Sequence, residues 1–151
     1  MRKINWIILH CADTEEGKDF TVFDIDRWHK QRGWVAVGYH FVITLDGQLQ
    51  HGRVLESEGA HCLYYNKDSI GICYIGGRRQ GRFCDTRTAA QRKTMEKCVK
   101  DLLMRFPDAK VCGHHDLDGD KACPCFDVAT WAEEIGLPAR NIYRAGKEVA
   151  A

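Results

Sequence analysis

No run of apolar residues in this 151-residue chain approaches the ~18 needed to cross a bilayer, so no transmembrane helix is expected. Charge of one sign is equally scarce. The 22 Lys and Arg are offset by 21 Asp and Glu, for a net charge of +1. A broad nucleic-acid or membrane footprint would need a strong basic excess, so neither partner is expected. Internal repeats and low-complexity stretches are also missing from the sequence. What remains is the composition of a globular protein, 44% hydrophobic and 28% charged. One domain is expected at this length, burying about two-thirds of the surface that its unfolded chain exposes.

Cysteine, by contrast, is in surplus, with eight residues. Four disulfides would suit a small secreted chain that lacks an adequate core, which this one does not resemble. Cys73, Cys98 and Cys112 fall within apolar strand-like or helix-like patterns and read as buried free thiols. Met1-Arg2-Lys3 followed by Ile4 to Leu9 imitates a signal peptide, and Leu9-His10-Cys11 imitates a lipoprotein site. The apolar stretch is too short for either and is interrupted by Asn5. Synthesis in the cytoplasm without a signal peptide is expected, a reducing compartment that suits so many thiols.

Ile4 to Leu9 reads as a largely buried strand. Thr21, with Asp24 three residues on, caps a helix that runs to about Arg32 and buries Val22, Ile25, Trp28 and His29. Tyr39 to Leu45 predicts a second strand, with Tyr39, Phe41, Ile43 and Leu45 on one face and His40, Val42 and Thr44 on the other. Asp46-Gly47 turns it into a returning strand over 48–53. An irregular segment over 56–68 leads to a buried strand at 69–75. Arg78, Arg79 and Arg82, among glycines, read as a solvated loop. Thr88 and Gln91 form a capping box opening a long helix with the stripe Met95, Cys98, Val99, Leu102, Leu103 and Phe106. A short strand at 109–112 follows, then a helix from the Asp127 cap to Ile135. This order predicts an α/β fold: one domain over 1–138, with a mixed central sheet of about five strands flanked by about three helices, and a tail at 139–151 with no assigned function.

The chemistry concentrates in two places. His10 ends the first apolar run, and Gly113-His114-His115-Asp116 with Lys121-Ala122-Cys123-Pro124 comes about a hundred residues later. Imidazole and thiolate are the usual protein ligands of zinc, and three of them leave a fourth position open for water. If His10, one of the paired histidines and Cys123 converge, the site is hydrolytic. A rival arrangement closes a structural site with His114, His115, Cys123 and Cys125, which leaves His10 idle. Tyr39 reads either as a core aromatic or as a site residue.

Five segments carry a resemblance: 8–12, 28–34, 37–41, 65–72, and His114-His115 through 121–127. Together, and in this order, they resemble the type 2 N-acetylmuramoyl-L-alanine amidases, the small phage lysozyme branch in particular. Peptidoglycan recognition proteins share the fold of that family. The likeness covers about residues 4 to 136. It implies an enzyme that uses one Zn2+ to hydrolyse the amide between N-acetylmuramic acid and L-alanine in peptidoglycan. A monomer is expected, and with no signal peptide expected it would reach the wall by holin-type release or non-classical export. It makes His10, His114 and Cys123 the zinc ligands, Tyr39 and Lys121 the catalytic residues, and His115 a supporting one.

His61 falls where the family has a groove histidine, and Trp34 and Asn66 join it as substrate contacts. Packing (for Trp34, with Trp28 and His29) and loop ordering (for Asn66) are the alternatives for these two. One departure stands out. The segment from His114 to Cys123 is one residue longer than in the phage branch, through Asp118-Gly119-Asp120, while the Lys-Ala-Cys spacing is intact. Two other functions compete: a recognition module that binds the wall without cutting it, and a regulatory protein that binds a polymerase.

Overall fold

The computed structural model describes residues 1–144. Its main sheet has five strands: β1 (Trp6–Cys11), β3 (Phe41–Ile43), β4 (Leu49–His51), β5 (Ser69–Tyr74) and β8 (Lys110–Gly113), in the order β4-β3-β5-β1-β8. Only the β3–β4 hairpin is antiparallel; β3, β5, β1 and β8 run parallel. The mixed sheet expected from the sequence is therefore present.

β1 lies between β5 and β8 and is covered on both faces, which explains its unbroken apolar sequence. Ile7, Leu9 and Cys11 enter the larger core with Ile70, Ile72 and Tyr74 of β5 and with Phe41 and Ile43. That face is covered by α2 (Ala89–Arg105) and α4 (Val128–Glu134), which supply Met95, Val99, Leu102, Val128 and Trp131. The opposite face carries Cys73 and Val42, packed by Val22 and Ile25 of α1 (Val22–Gln31). Both capping boxes form as the sequence indicates.

Gln91 does more than close its box. Its side-chain amide is fully buried and donates to the carbonyls of Ile75 (2.9 Å) and Ile43 (3.3 Å), tying the start of α2 to the ends of β5 and β3. Gln91→Leu leaves both carbonyls without that donor. A loss of about 2–3 kcal/mol is expected, read as a lower urea midpoint at unchanged slope. A shift equal to that of an exposed substitution would refute the tie.

Several expectations need correction. β1 extends to Cys11, so His10 lies inside the strand rather than past it. Regular pairing of the second strand is confined to Phe41–Ile43, and the alternation fails outside it. Tyr39 and Leu45 pack with Val42 and α1, not with Phe41 and Ile43. Arg78, Arg79 and Arg82 are not a loop. They belong to β6 (Gly77–Arg79) and β7 (Arg82–Phe83), which join β2 (Thr14–Glu15) in a second, three-stranded sheet. Arg78 pairs there with Asp13, and Arg79 pairs with Glu16 at 2.8 Å.

A one-turn helix, α3 (His114–Leu117), follows β8 directly. The chain stays packed past residue 138: Asn141 and Ile142 are buried, and Ile142 bridges Val111. Residues 145–151 of the expected tail lie outside the described residues. Among the described residues no helix is long and apolar enough to cross a membrane.

Candidate metal centre

Parallel register brings the first two side chains together. Leu9 of β1 pairs with Gly113 of β8, so the next residue on each chain, His10 and His114, lie side by side with ring centroids 4.7 Å apart. His10 shares its sheet face with Ile8, and it is only 1% exposed. Cys123 arrives on the loop between α3 and α4. That loop is held at three points: His115 N–H donates to the Cys123 carbonyl (2.8 Å), the Tyr74 hydroxyl donates to the Pro124 carbonyl (2.7 Å), and the Arg87 guanidinium lies 3.3 Å over the Phe126 ring.

One ligating atom each from His10, His114 and Cys123 lies within 4.8 Å of the others. The Cys123 Sγ to His10 Nδ1 distance is 3.7 Å. Two ligands of a tetrahedral zinc, bound at ~2.1 and ~2.3 Å, sit on the order of 3.6 Å apart, so the spacing and the donor set fit that ion. The rival closed site does not assemble. Cys125 turns away, with its Sγ 3.8 Å from Cys11 Sγ and donating to the Gly77 carbonyl. His115 contributes through its backbone rather than its ring.

The protonation states suit ligation. Burial drives the His10 pKa well below the usual histidine range and lowers that of His114, so both rings are neutral at neutral pH. The Cys11 amide donates to Cys123 Sγ at 3.1 Å. Contact with Cys123 and burial push the Cys11 thiol up, so it remains protonated beside it. All eight cysteines are free thiols, with Cys73, Cys98 and Cys112 buried as the sequence indicates.

Two cavities, about 460 and 570 Å³, flank the group and share His29, Arg32, Tyr39, His114 and Lys121 in their walls. Tyr39 stacks near His10, ring centroids 5.0 Å apart. Burial, with the Cys73 and Cys123 thiols nearby, raises its pKa well above the usual tyrosine range, so it is a protonated phenol. Lys121 is exposed and its ammonium makes no ion pair among the described residues.

Trp34 lines the larger cavity while packing on His29 (4.5 Å). His29 is itself buried and accepts from Gly38 N–H. Asn66 reaches the same wall, but its Oδ1 accepts from the amides of His61 and Cys62, which orders their loop. His61 is buried, lines the same cavity, and sets its Nδ1 2.8 Å from His10 Nε2. Sequence reasoning missed this link. The only local signal was a histidine among small residues, Gly59-Ala60-His61.

The N-acetylmuramoyl-L-alanine amidase profile (Amidase_2) matches residues 1–126. The endolysin of Escherichia phage T7 is 38% identical over 132 residues, which cover 87% of this chain and 87% of that protein. Among solved structures, the N-acetylmuramoyl-L-alanine amidase LysC from Clostridium intestinale URNW superposes with a TM-score of 0.77 at 25% identity, over 91% of this chain and 88% of that one. Wild-type Drosophila PGRP-LB shares the fold, with a TM-score of 0.75 at 22% identity over 99% and 88%. With most of its length matched by the profile and by a relative of nearly the same extent, the chain belongs to the N-acetylmuramoyl-L-alanine amidase family.

Proposed function

We propose that this protein is a zinc-dependent amidase that cleaves the bond between the lactyl carbonyl of N-acetylmuramic acid and the amine of L-alanine in bacterial peptidoglycan. The observation that carries this reading is the convergence of His10, His114 and Cys123 beside two cavities that share His114, Tyr39 and Lys121 in their walls. Family membership and the endolysin relatives support it.

His10, His114 and Cys123 would hold the ion, leaving a fourth position open. When bound, zinc supplies Lewis acidity, which polarises a carbonyl and lowers the pKa of water from ~16 toward ~7. Every other task falls to side chains. Hydrolysis builds negative charge on the scissile carbonyl oxygen, and Lys121, an unpaired cation at the cavity wall, donates to it. Tyr39, kept protonated by its surroundings, donates a hydrogen bond into the same space. Hydrolysis also moves one proton from the attacking water to the departing amine, and Tyr39 is assigned to relay it, ending as the phenol it began as. The two cavities, which differ in most of their lining, would receive the glycan and the stem peptide.

We assign one zinc per chain, a monomer in solution, and access to the wall by holin-type release or non-classical export. The test is digestion of purified peptidoglycan by the zinc-loaded protein. Amidase action liberates stem peptides with a new N-terminal alanine and creates no new reducing sugar ends. Tight wall binding without either product would instead identify a recognition module. New reducing ends would point to cleavage of the glycan and overturn the assignment.

A further inference from the structure

A third histidine stands against the proposed ligands, and the amidase chemistry above makes no use of it. His61 is 9% exposed, and both of its ring nitrogens are engaged: Nδ1 with His10 Nε2 at 2.8 Å, Nε2 with Ser69 Oγ at 3.1 Å. Ser69 is fully buried on β5. The ring occupies a slot that two glycines leave open. A Cβ on Gly59 would stand 2.5 Å from His61 Cδ2, and one on Gly71 would stand 2.8 Å from Cδ2 and Cγ. Asn66 Oδ1, accepting from the amides of His61 and Cys62, fixes the loop from the other side. Position, depth and orientation of this imidazole are thus all specified by its neighbours.

We infer that His61 is a positioning residue for the metal centre: it accepts the Nε2 proton of His10 and so leaves the Nδ1 lone pair of that ring facing the ion. The inference rests on the metal reading of His10, His114 and Cys123. A neutral imidazole has one N–H donor and one acceptor nitrogen. His10 Nδ1 is the atom facing Cys123 Sγ, so ligation needs its lone pair and puts the proton on Nε2. That proton is donated to His61 Nδ1, which leaves the His61 proton on Nε2, donated in turn to Ser69 Oγ.

The reverse order has Ser69 donating to His61, and His61 donating to His10. It places a proton on His10 Nδ1 and blocks the ligand position. A three-member chain therefore has two polarities, and only one is compatible with an ion. Partners that fix a ligand's tautomer in this way are worth on the order of 10- to 100-fold in metal affinity.

The test titrates metal-free wild type, His61→Phe and His61→Gln with Zn2+ against a competing chelator, in the absence of peptidoglycan. His61→Phe fills the slot but accepts no proton, and its affinity is expected to fall about 10- to 100-fold. His61→Gln offers a carbonyl oxygen to His10 and is expected to recover most of that loss, a rescue that filling space alone would not give. A His61→Phe affinity within twofold of wild type would overturn the inference.

Ring-nitrogen NMR of the zinc-loaded wild type keeps the question open to refutation if the variants do not fold. Protons on Nε2 of both His10 and His61 are expected, and a proton on His61 Nδ1 would overturn the assignment. Neither readout depends on wall cleavage. A protein that shows the expected tautomers yet leaves peptidoglycan uncut would count against the amidase reading alone.

Discussion

Cys123→Ser is expected to lose its zinc and, with it, on the order of 10³-fold or more in wall-cleaving activity. A serine hydroxyl does not ionise near neutral pH, whereas a cysteine held at a metal is a thiolate, so the one charged ligand of the three disappears. Lewis-acid stabilisation of a developing charge is worth several kcal/mol, and about 4 kcal/mol is already three decades in rate. The substitution is gentle in other respects. The Cys11 amide that donates to Cys123 Sγ can donate to a serine oxygen, and the loop keeps its anchors at Tyr74, His115 and Arg87. Metal-free variant and metal-free wild type should therefore unfold at similar urea concentrations. Zinc content measured after dialysis, alongside release of stem peptides, decides the matter. A variant that keeps both its metal and its activity would remove Cys123 from the centre.

Lys121→Met is expected to do the opposite: about 10²- to 10³-fold slower turnover with zinc content unchanged. Methionine retains the aliphatic stem and removes the ammonium. Lys121 is exposed and carries no ion pair among the described residues, so its loss should leave the fold untouched. Its charge matters where the carbonyl oxygen becomes an oxyanion, an interaction stronger in the transition state than in the bound substrate. The loss should accordingly fall on kcat, with KM changed much less. A rise in KM at constant kcat would make Lys121 a substrate contact rather than an oxyanion donor. The two variants together separate holding the metal from using it.

Much of this site could be read in the chain because its members sit on elements with strong local signals. His10 follows a buried apolar run, His114 follows a short strand, and Cys123 is fixed by the chain around Pro124. Their meeting depends on register, Leu9 against Gly113, which no local pattern encodes. Tyr39 shows where periodicity misleads. Only three residues of that segment form a regular strand, and Tyr39 lies outside them, turned toward α1 and His10. The sheet of β2, β6 and β7 escaped notice because strands of two or three residues are too short to display a period. Gln91 was legible as a cap, but its second duty toward Ile43 and Ile75 exists only once β3 and β5 lie beneath the helix. The role of His61 is a matter of what surrounds it: Gly59 from its own loop, and Gly71 and Ser69 from β5.

The place of β1 in the sheet carries a consequence for synthesis. The first strand made is the one flanked on both edges, and its partners arrive at residues 69–74 and 110–113. A nascent chain that has only just passed β4 can pair β3 with β4 but cannot enclose His10, and one that ends before β8 leaves an edge of β1 bare. Assembly is dominated by contacts between distant segments, a topology that folds late and slowly compared with helical hairpins. Cys123 comes after the last strand of the sheet. The hydrolytic group is thereby complete only when the sheet has closed, so a half-made chain carries no working blade.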